Sequence, residues 1–402
     1  MEELLISGSP AVPPDTAWLG PVRVLHVMTA LDVGGAEMML LKLSTHGQFK
    51  SAVLALLNWG PIGSMLRQSH IKVAALGLTT PKGALSAPSV AIRLIRSFAP
   101  DVIQGWLYHG NLVASLIGAV TKRPVLWNIR QSVQGSEIEK RHALLTRKLL
   151  TWVQASPAKV IYNSEVARRQ HEGIGFPSGK GIVIPNGFDT DKFRPDPLAR
   201  REVRSEIGVP EDAILVGQCG RSHPMKAHAI FVQAAQKVVS ARPNVYCIAV
   251  GRGVDRDPEL QSLLSGIEPG RIQLFGERHD MHRIVAALDV ASNSSISGEG
   301  FSNAVGEALC CGVPCVVTDV GDSPLVVADA GVVVPPNQPL PLADAILSLV
   351  DDMGWRHALG ELARRRAVKN FGITSVCNTY DELYQGIRVA SLDGTRVPRR
   401  LS

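Results

Sequence analysis

The sequence predicts an α/β fold of two doubly wound, Rossmann-like parallel-sheet domains in tandem, facing a central cleft. Three observations predict it. Strand patterns rich in β-branched residues alternate with helix patterns, the mark of parallel sheets covered on both faces. The alternation stops in a Pro- and charge-rich stretch and then restarts. The chain has 402 residues, ample for two or three domains of about 150 residues each.

The first series begins with the strand pattern VRVLHVMTA (22–30). A turn carrying Gly34 and Gly35 leads it into a helix from Ala36. Strands fit 51–57, 73–78, 101–107, 124–130, 159–164 and 182–187. The stretch 86–99 reads as a helix that opens at Ser86, carries an early Pro88 and stops before Pro100. After the break, strands fit 213–220, 245–251, 271–276, 290–295, 314–320 and 330–336, with helices at 228–241 and 281–289. The end of the chain reads as helical. The expected boundaries are a poorly ordered tail at 1–20, a first domain at 21–187 and a linker with a short helix at 188–212. A second domain follows at 213–372, then a helix within 373–402 that packs back on the first domain. Such sheets bind ligands beyond the C-terminal ends of their strands, so the cleft between the domains is the expected site.

Composition excludes some functions. Aromatic residues make up 5% of the chain, too few for the stacking platforms of single-stranded nucleic acid. The net charge of +6 suits an anionic ligand or an anionic membrane surface, but is too diffuse for nucleic acid. Cys310, Cys311 and Cys315 lie close in sequence, yet no second pair or nearby His completes a four-ligand metal site. The six cysteines read as buried thiols in a reducing compartment. No apolar run approaches the ~18–20 residues that span a bilayer. The N-terminus lacks the basic flank and long apolar stretch of a secretory signal. The expectation is a cytoplasmic protein that rests, at most, on the inner face of a membrane.

The candidate chemistry lies in loops after strands. Gly34 and Gly35 precede a helix and could present amides to an anion, or simply form a tight turn. Arg221 and Lys226 straddle a Pro turn after strand 213–220. A planar fork and a point charge can converge on a diphosphate; a solvated loop is the other reading. The stretch SGEGFSNAVGEALCCGVPCVVTD (297–319) sets Glu299 in a glycine-marked loop and Glu307 inside a helix. Ser302 can cap that helix, which runs to about Cys311 and stops at Gly312 before Pro314. Amides of Gly300, Phe301 and Ser302 then lie near a helix N-terminus, and the two carboxylates could each accept paired hydroxyls; a surface Glu299 with a Glu307 favoured by the helix dipole is the other reading. His109, in WLYHGN at a strand end, either faces the cleft or is a satisfied structural His. Asn186 reads as a turn residue, and Asp189-Thr190-Asp191 is a weak metal motif. The segment 140–155 is amphipathic and basic, fit for a core-facing helix or for a membrane surface.

These pieces resemble retaining glycosyltransferases of family 4, glycosyl transferases group 1. The matching segments run from 22 to about 350: VLHVMTALDVGGAE, VIPNGFDTDKF, CGRSHPMK, GERHDMHRIVAALDV, EGFSNAVGEALCCGVPCVVTDVGDSPLVV and AGVVVPP. The resemblance implies the GT-B fold and a nucleotide diphosphate sugar as donor substrate, with no cofactor and no metal. It implies a glycan or lipid-linked acceptor. Glu299 would contact donor-sugar hydroxyls and Glu307 the ribose, while Arg221 and Lys226 bind the diphosphate with amides at Gly300, Phe301 and Gly35. The base would lie near Gly276 to Arg278, largely on backbone groups. Retention would proceed by front-face attack, the leaving diphosphate accepting the proton, which suits preorganised cations. Many relatives carry a His after the strand that here reads PVLWNIR; Arg130 and Gln131 stand there instead. Arg130 is then a substitute donor to sugar or phosphate, or the site is impaired. A non-catalytic nucleotide-sugar-binding protein, a sugar-nucleotide epimerase and a phosphorylase are the alternatives on the same architecture.

Overall fold

The computed structural model describes residues 20–133 and 141–393. Residues 1–19 of the expected tail, residue 140 of the basic segment and the chain's last nine residues lie outside them. The chain forms two compact units, Met1–Gly187 with Ile373–Ser402, and Phe188–Gly372.

The first unit holds strands β1 (Arg23–Met28), β2 (Lys50–Ala55), β3 (Lys72–Ala75), β4 (Val102–Trp106), β5 (Val125–Ile129), β6 (Pro157–Tyr162) and β7 (Gly181–Val183). Between them run helices α1 (Gly35–His46), α2 (Gly60–Gln68), α3 (Pro81–Phe98), α4 (Leu107–Thr121), α5 (Arg141–Trp152) and α6 (Glu165–Gly173). The sheet is parallel, in the order β3-β2-β1-β4-β5-β6-β7. Its central strands are buried on both faces, which is why they read as near-continuous apolar runs.

The helix expected from Ser86 starts earlier. Thr80 caps it by accepting from the amide of Gly83, Pro81 takes the first helical position, and Pro88 sits inside α3. Thr-Pro is the stronger start because Pro lacks the N–H that the first turn leaves unused.

The second unit holds α7 (Pro197–Glu206), β8 (Ile214–Cys219), α8 (His228–Ala241), β9 (Val245–Val250), α9 (Pro258–Leu263), β10 (Ile272–Phe275) and α10 (Met281–Ala286). It continues with β11 (Val290–Asn293), α11 (Asn303–Cys310), β12 (Cys315–Thr318), α12 (Ser323–Val327), β13 (Gly331–Val334), α13 (Pro339–Asp351) and α14 (Met353–Phe371). This sheet is also parallel, in the order β10-β9-β8-β11-β12-β13.

Residues 188–212 are not a stretch outside both domains; they belong to the second unit. Arg204 of α7 is buried, and its guanidinium meets Asp289 at 2.5 Å and the Ala287 carbonyl at 3.1 Å. The Asp289 carboxylate also accepts the Leu215 amide at 2.7 Å. A charge-rich segment is thus pinned to the start of β8 by an ion pair.

The last helix, α15 (Ile373–Leu392), closes the first unit. Its buried Tyr380 and Tyr384 bond to Asn128 on β5 (3.0 Å) and Gln104 on β4 (2.7 Å). Among the described residues no helix is long and apolar enough to cross a membrane.

Candidate functional site

In the second sheet the strand order reverses between β8 and β11. Loops leaving the C-terminal ends of adjacent strands part there, and doubly wound sheets bind ligands at such a switch point. The two loops are 220–227, after β8, and 294–302, after β11. They carry Arg221 and Lys226 on one side and Glu299 to Ser302 on the other, so the fold brings together residues distant in sequence.

Two adjacent serines just after β11 organise both loops. Neighbouring residues of an extended chain point to opposite sides. Ser294 turns to the β8 loop, its hydroxyl 2.9–3.1 Å from Gln218 Oε1 and the carbonyls of Lys226 and Ala227. Ser295 turns the other way, its hydroxyl 2.6 Å from Asn293 Oδ1 and 3.1 Å from Glu299 Oε2. Both are fully buried.

The β8 loop is further fixed by His228. Its Nε2 donates to the Gly220 carbonyl at 3.0 Å, while Nδ1 faces the Gln218 amide at 3.3 Å. Burial above all holds this imidazole below its ordinary pKa, and the neutral ring fits that hydrogen-bond pattern. Ala227 adopts left-handed backbone (φ 46°), uncommon for a residue with a Cβ, at the junction between the Pro224–Lys226 turn and α8. This geometry sends the Lys226 side chain across to Glu299. The ammonium lies 2.8 Å from both carboxylate oxygens, and Glu299 is only 6% exposed. Arg221 is exposed, and no ion pair engages it among the described residues. His223 lies between the two cations; burial first, then Arg221 and Lys226, push its pKa down.

The Glu299 loop is held from behind. Ser302 occupies the N-cap position of α11 without capping it by its side chain. The hydroxyl instead accepts from Asn293 Nδ2 at 2.8 Å, a departure from the expected cap. Phe301 turns its ring into the core, stacked on Phe188 at 5.9 Å, which leaves its backbone for the loop. Gly306 permits that stack, since a Cβ there would stand 2.3 Å from the Phe188 ring. Gly321 (φ 63°) lets the α12 loop close behind Glu299, whose carbonyl would meet a Cβ at 2.0 Å. Glu307 is half-buried in α11; burial first, and then the Glu307 charge, raise the Cys219 thiol at the end of β8.

The other expected residues have the following surroundings. Arg278 is tied bidentately to Asp280 (both bonds 2.8 Å) and to Glu206 (2.5 Å), so its side chain is committed within the protein. Gly276 faces the Asp255 carboxylate, which a Cβ would approach to 3.0 Å. In the first unit, Gly34 and Gly35 do open α1, but Glu37 folds back over that end: a Cβ on Gly34 would lie 2.3 Å from Glu37 Oε2. Burial raises the Glu37 carboxyl, its own amide opposing. WLYHGN begins at the end of β4, at Trp106, and α4 starts at Leu107 and places half-buried His109 in its first turn.

Arg130 is engaged within the first unit. Its Nη1 bonds the Ile184 carbonyl at 3.0 Å and Tyr380 at 3.2 Å; Nη2 bonds the Pro185 carbonyl and Asn186 Oδ1. The guanidinium clamps the segment after β7 to α15. Asn186 is accordingly a partner of Arg130, not only a turn residue. Asp189 caps the amides of Asp191 and Lys192, and no group of three metal-ligating side chains occurs among the described residues. The six cysteines form no disulfide; burial raises Cys219 and Cys247 to about 12.

Sequence reading missed Gln218, His228, Ser294, Ser295 and Gly321. The run Ser292-Asn293-Ser294-Ser295 after an apolar strand was the available signal, since small polar residues at a buried strand end need partners.

A model of glycosyl transferases group 1 matches residues 213–352, and one of glycosyltransferase family 4 matches residues 33–192. The lipopolysaccharide core biosynthesis mannosyltransferase LpsB of Rhizobium meliloti is 26% identical over 335 residues, covering 79% of this chain and 89% of that protein. D-inositol 3-phosphate glycosyltransferase of Corynebacterium jeikeium is 28% identical over 228 residues, 54% of this chain. That match spans about half (54%) of the relative's length. The solved structure of Anabaena HepE in complex with UDP shares the fold, with a TM-score of 0.79 at 23% identity, covering 90% of this chain and 99% of that one. The chain belongs to the family 4 glycosyltransferases of glycosyl transferases group 1.

Proposed function

We propose that this protein moves a hexosyl or N-acetylhexosaminyl group from a nucleotide diphosphate sugar to a hydroxyl, with retention of configuration and without a metal ion. The observation that carries the reading is the pairing of Lys226 with Glu299 beside an exposed Arg221 at the switch point of the second sheet. Two cations there suit a diphosphate, and a buried carboxylate suits sugar hydroxyls. Glu307, in α11, is assigned the ribose, and the amides of Gly300 and Phe301 assist the phosphates. The bond from the anomeric carbon to the diphosphate breaks as the acceptor oxygen bonds to the same face. The diphosphate takes the acceptor's proton. Arg221 and Lys226 stabilise the charge that grows on it, in a preorganised setting that costs little reorganisation.

The relative named for lipopolysaccharide core biosynthesis supports a lipid-linked or polysaccharide-precursor acceptor. On α5, Leu145, Lys148 and Trp152 form one exposed stripe, Trp152 being 81% exposed. That mixture of apolar and basic groups supports contact with the inner face of an anionic membrane.

The test is transfer from UDP-, GDP- and ADP-sugars to a panel of lipid-linked and free glycan acceptors. Glu299→Ala, Glu307→Ala and Lys226→Ala should each abolish transfer while keeping the wild-type circular dichroism. Wild-type-like transfer in all three contradicts the site. Donor binding without turnover on any acceptor, or by hydrolysis, would favour a non-catalytic binding protein.

A further inference from the structure

We infer that the Lys226–Glu299 pair makes this site discriminate between a sugar-bearing nucleotide and the bare nucleoside diphosphate, retaining the first and releasing the second. The inference rests on the donor-binding reading above.

Glu299 is nearly buried, and a carboxylate so placed depends on its partners. Lys226 supplies its counter-charge at 2.8 Å to each oxygen. Its other hydrogen-bond neighbour is the Ser295 hydroxyl at 3.1 Å. That hydroxyl has one proton and lies closer to Asn293 Oδ1, at 2.6 Å. Ser295 therefore cannot replace the lysine while it serves Asn293.

A diphosphate arriving at the β8 loop meets Arg221 uncommitted, among the described residues, and Lys226 committed. Drawing the ammonium onto phosphate strips Glu299 of its cation and sets a second anion near it. A bare diphosphate gives nothing back. A donor sugar does, because its hydroxyls donate to the carboxylate that the lysine has left. Both halves are satisfied only by a ligand that carries a sugar on the diphosphate. Once the sugar has gone to the acceptor, the remaining diphosphate again competes with Glu299 for Lys226. The lysine returns to the carboxylate, and the product is weakly held.

The full chain is titrated calorimetrically with UDP and UDP-glucose, GDP and GDP-mannose, and ADP and ADP-glucose. The wild type should bind one sugar nucleotide at least about tenfold more tightly than its bare diphosphate, a gap of about 1.4 kcal/mol. In Glu299→Gln the amide keeps the shape but not the charge. The bare diphosphate should then bind about tenfold more tightly than to wild type, and the preference for the sugar nucleotide should vanish. Ser295→Ala, which leaves both charges in place, should not tighten the bare diphosphate, and a tightening of about tenfold there would overturn the charge argument. If Glu299→Gln leaves diphosphate affinity unchanged while the wild type prefers the sugar nucleotide, this inference falls and the donor site stands. A wild type that binds both ligands of a pair equally overturns it without any variant. If no nucleotide binds the wild type, the donor-binding reading fails and takes this inference with it.

Discussion

Ser294 and Ser295 are neighbours in the chain, yet each holds a different half of the candidate site. Ser294 secures the carbonyls of Lys226 and Ala227, and Ser295 reaches the Glu299 carboxylate. The alternation of an extended chain separates the two tasks. Ser294→Ala removes one hydroxyl donor shared among Gln218 Oε1 and the carbonyls of Lys226 and Ala227, while Gln218 Nε2 still donates to Lys226 and the Ile230 amide to Ala227, a loss of about 0.5–1.5 kcal/mol. It should loosen the turn that carries Arg221 and Lys226. Affinity for the sugar nucleotide and for its bare diphosphate should fall together, about tenfold each. Calorimetry checks this; a loss confined to the sugar nucleotide would contradict it.

Asp289 receives two arginines of α7 that differ in burial. Arg204 is 1% exposed and Arg200 32% exposed. Removing the buried Arg204 empties a packed site and strips the Ala287 and Ala213 carbonyls of a donor, whereas an exposed pair is screened by water. Arg204→Ala should destabilise the second unit by about 3 kcal/mol or more. Arg200→Ala should cost at most about 1 kcal/mol. Urea denaturation of the two variants gives the comparison, and equal losses would contradict the assignment.

Arg130 reaches four acceptors with one planar fork. A lysine is a point donor and cannot span them. Arg130→Lys should raise amide hydrogen exchange in residues 181–187 and in α15, with donor affinity within about twofold of wild type. A large loss of donor affinity without a change in exchange would restore Arg130 as a ligand residue.

Two histidines of the first unit are buried and neutral. Burial pushes His26 down to about 3 and His171 down to about 4, from an ordinary value of 6.5. His26 accepts from Trp106 Nε1 at 3.2 Å, and His171 meets the Tyr108 hydroxyl at 2.8 Å. In the unfolded chain both take up a proton below about pH 6.5. The folded protein resists this until the lowered values, so the unfolded state binds more protons in between. Their contribution to stability is complete above pH 6.5. It is lost as pH falls toward 4 for His171 and toward 3 for His26. A thermal melt series between pH 7 and pH 4 should show falling Tm, with a shallower slope in His171→Gln. An unchanged slope in that variant contradicts the burial argument for His171.

Strand patterning was legible because the central strands are buried on both faces, and burial writes itself as apolar runs. The 188–212 segment was not, because Arg204 is stabilised by one distant carboxylate and several carbonyls that no local pattern reveals. The start of α3 was misplaced because Ser86 and Pro88 mimic a helix opening that Thr80 and Pro81 already supply. In the site, residue types and spacing exposed Arg221, Lys226, Glu299 and Glu307 as candidates. Their direct pairing across 73 positions, Lys226 to Glu299, depends on which strands lie side at side at the switch point. The partners of Arg130 were not legible because a sequence does not say which way a strand-end side chain turns.

The most direct test is amide hydrogen exchange of the full chain with and without the sugar nucleotide that stabilises it most in a thermal-shift panel of UDP-, GDP- and ADP-sugars. Protection should appear in the loops 220–227 and 299–302 and at the start of α11, and it should be lost in Lys226→Ala. Protection elsewhere in the second unit with these loops unchanged, or protection that survives Lys226→Ala in full, would contradict a diphosphate held at this switch point.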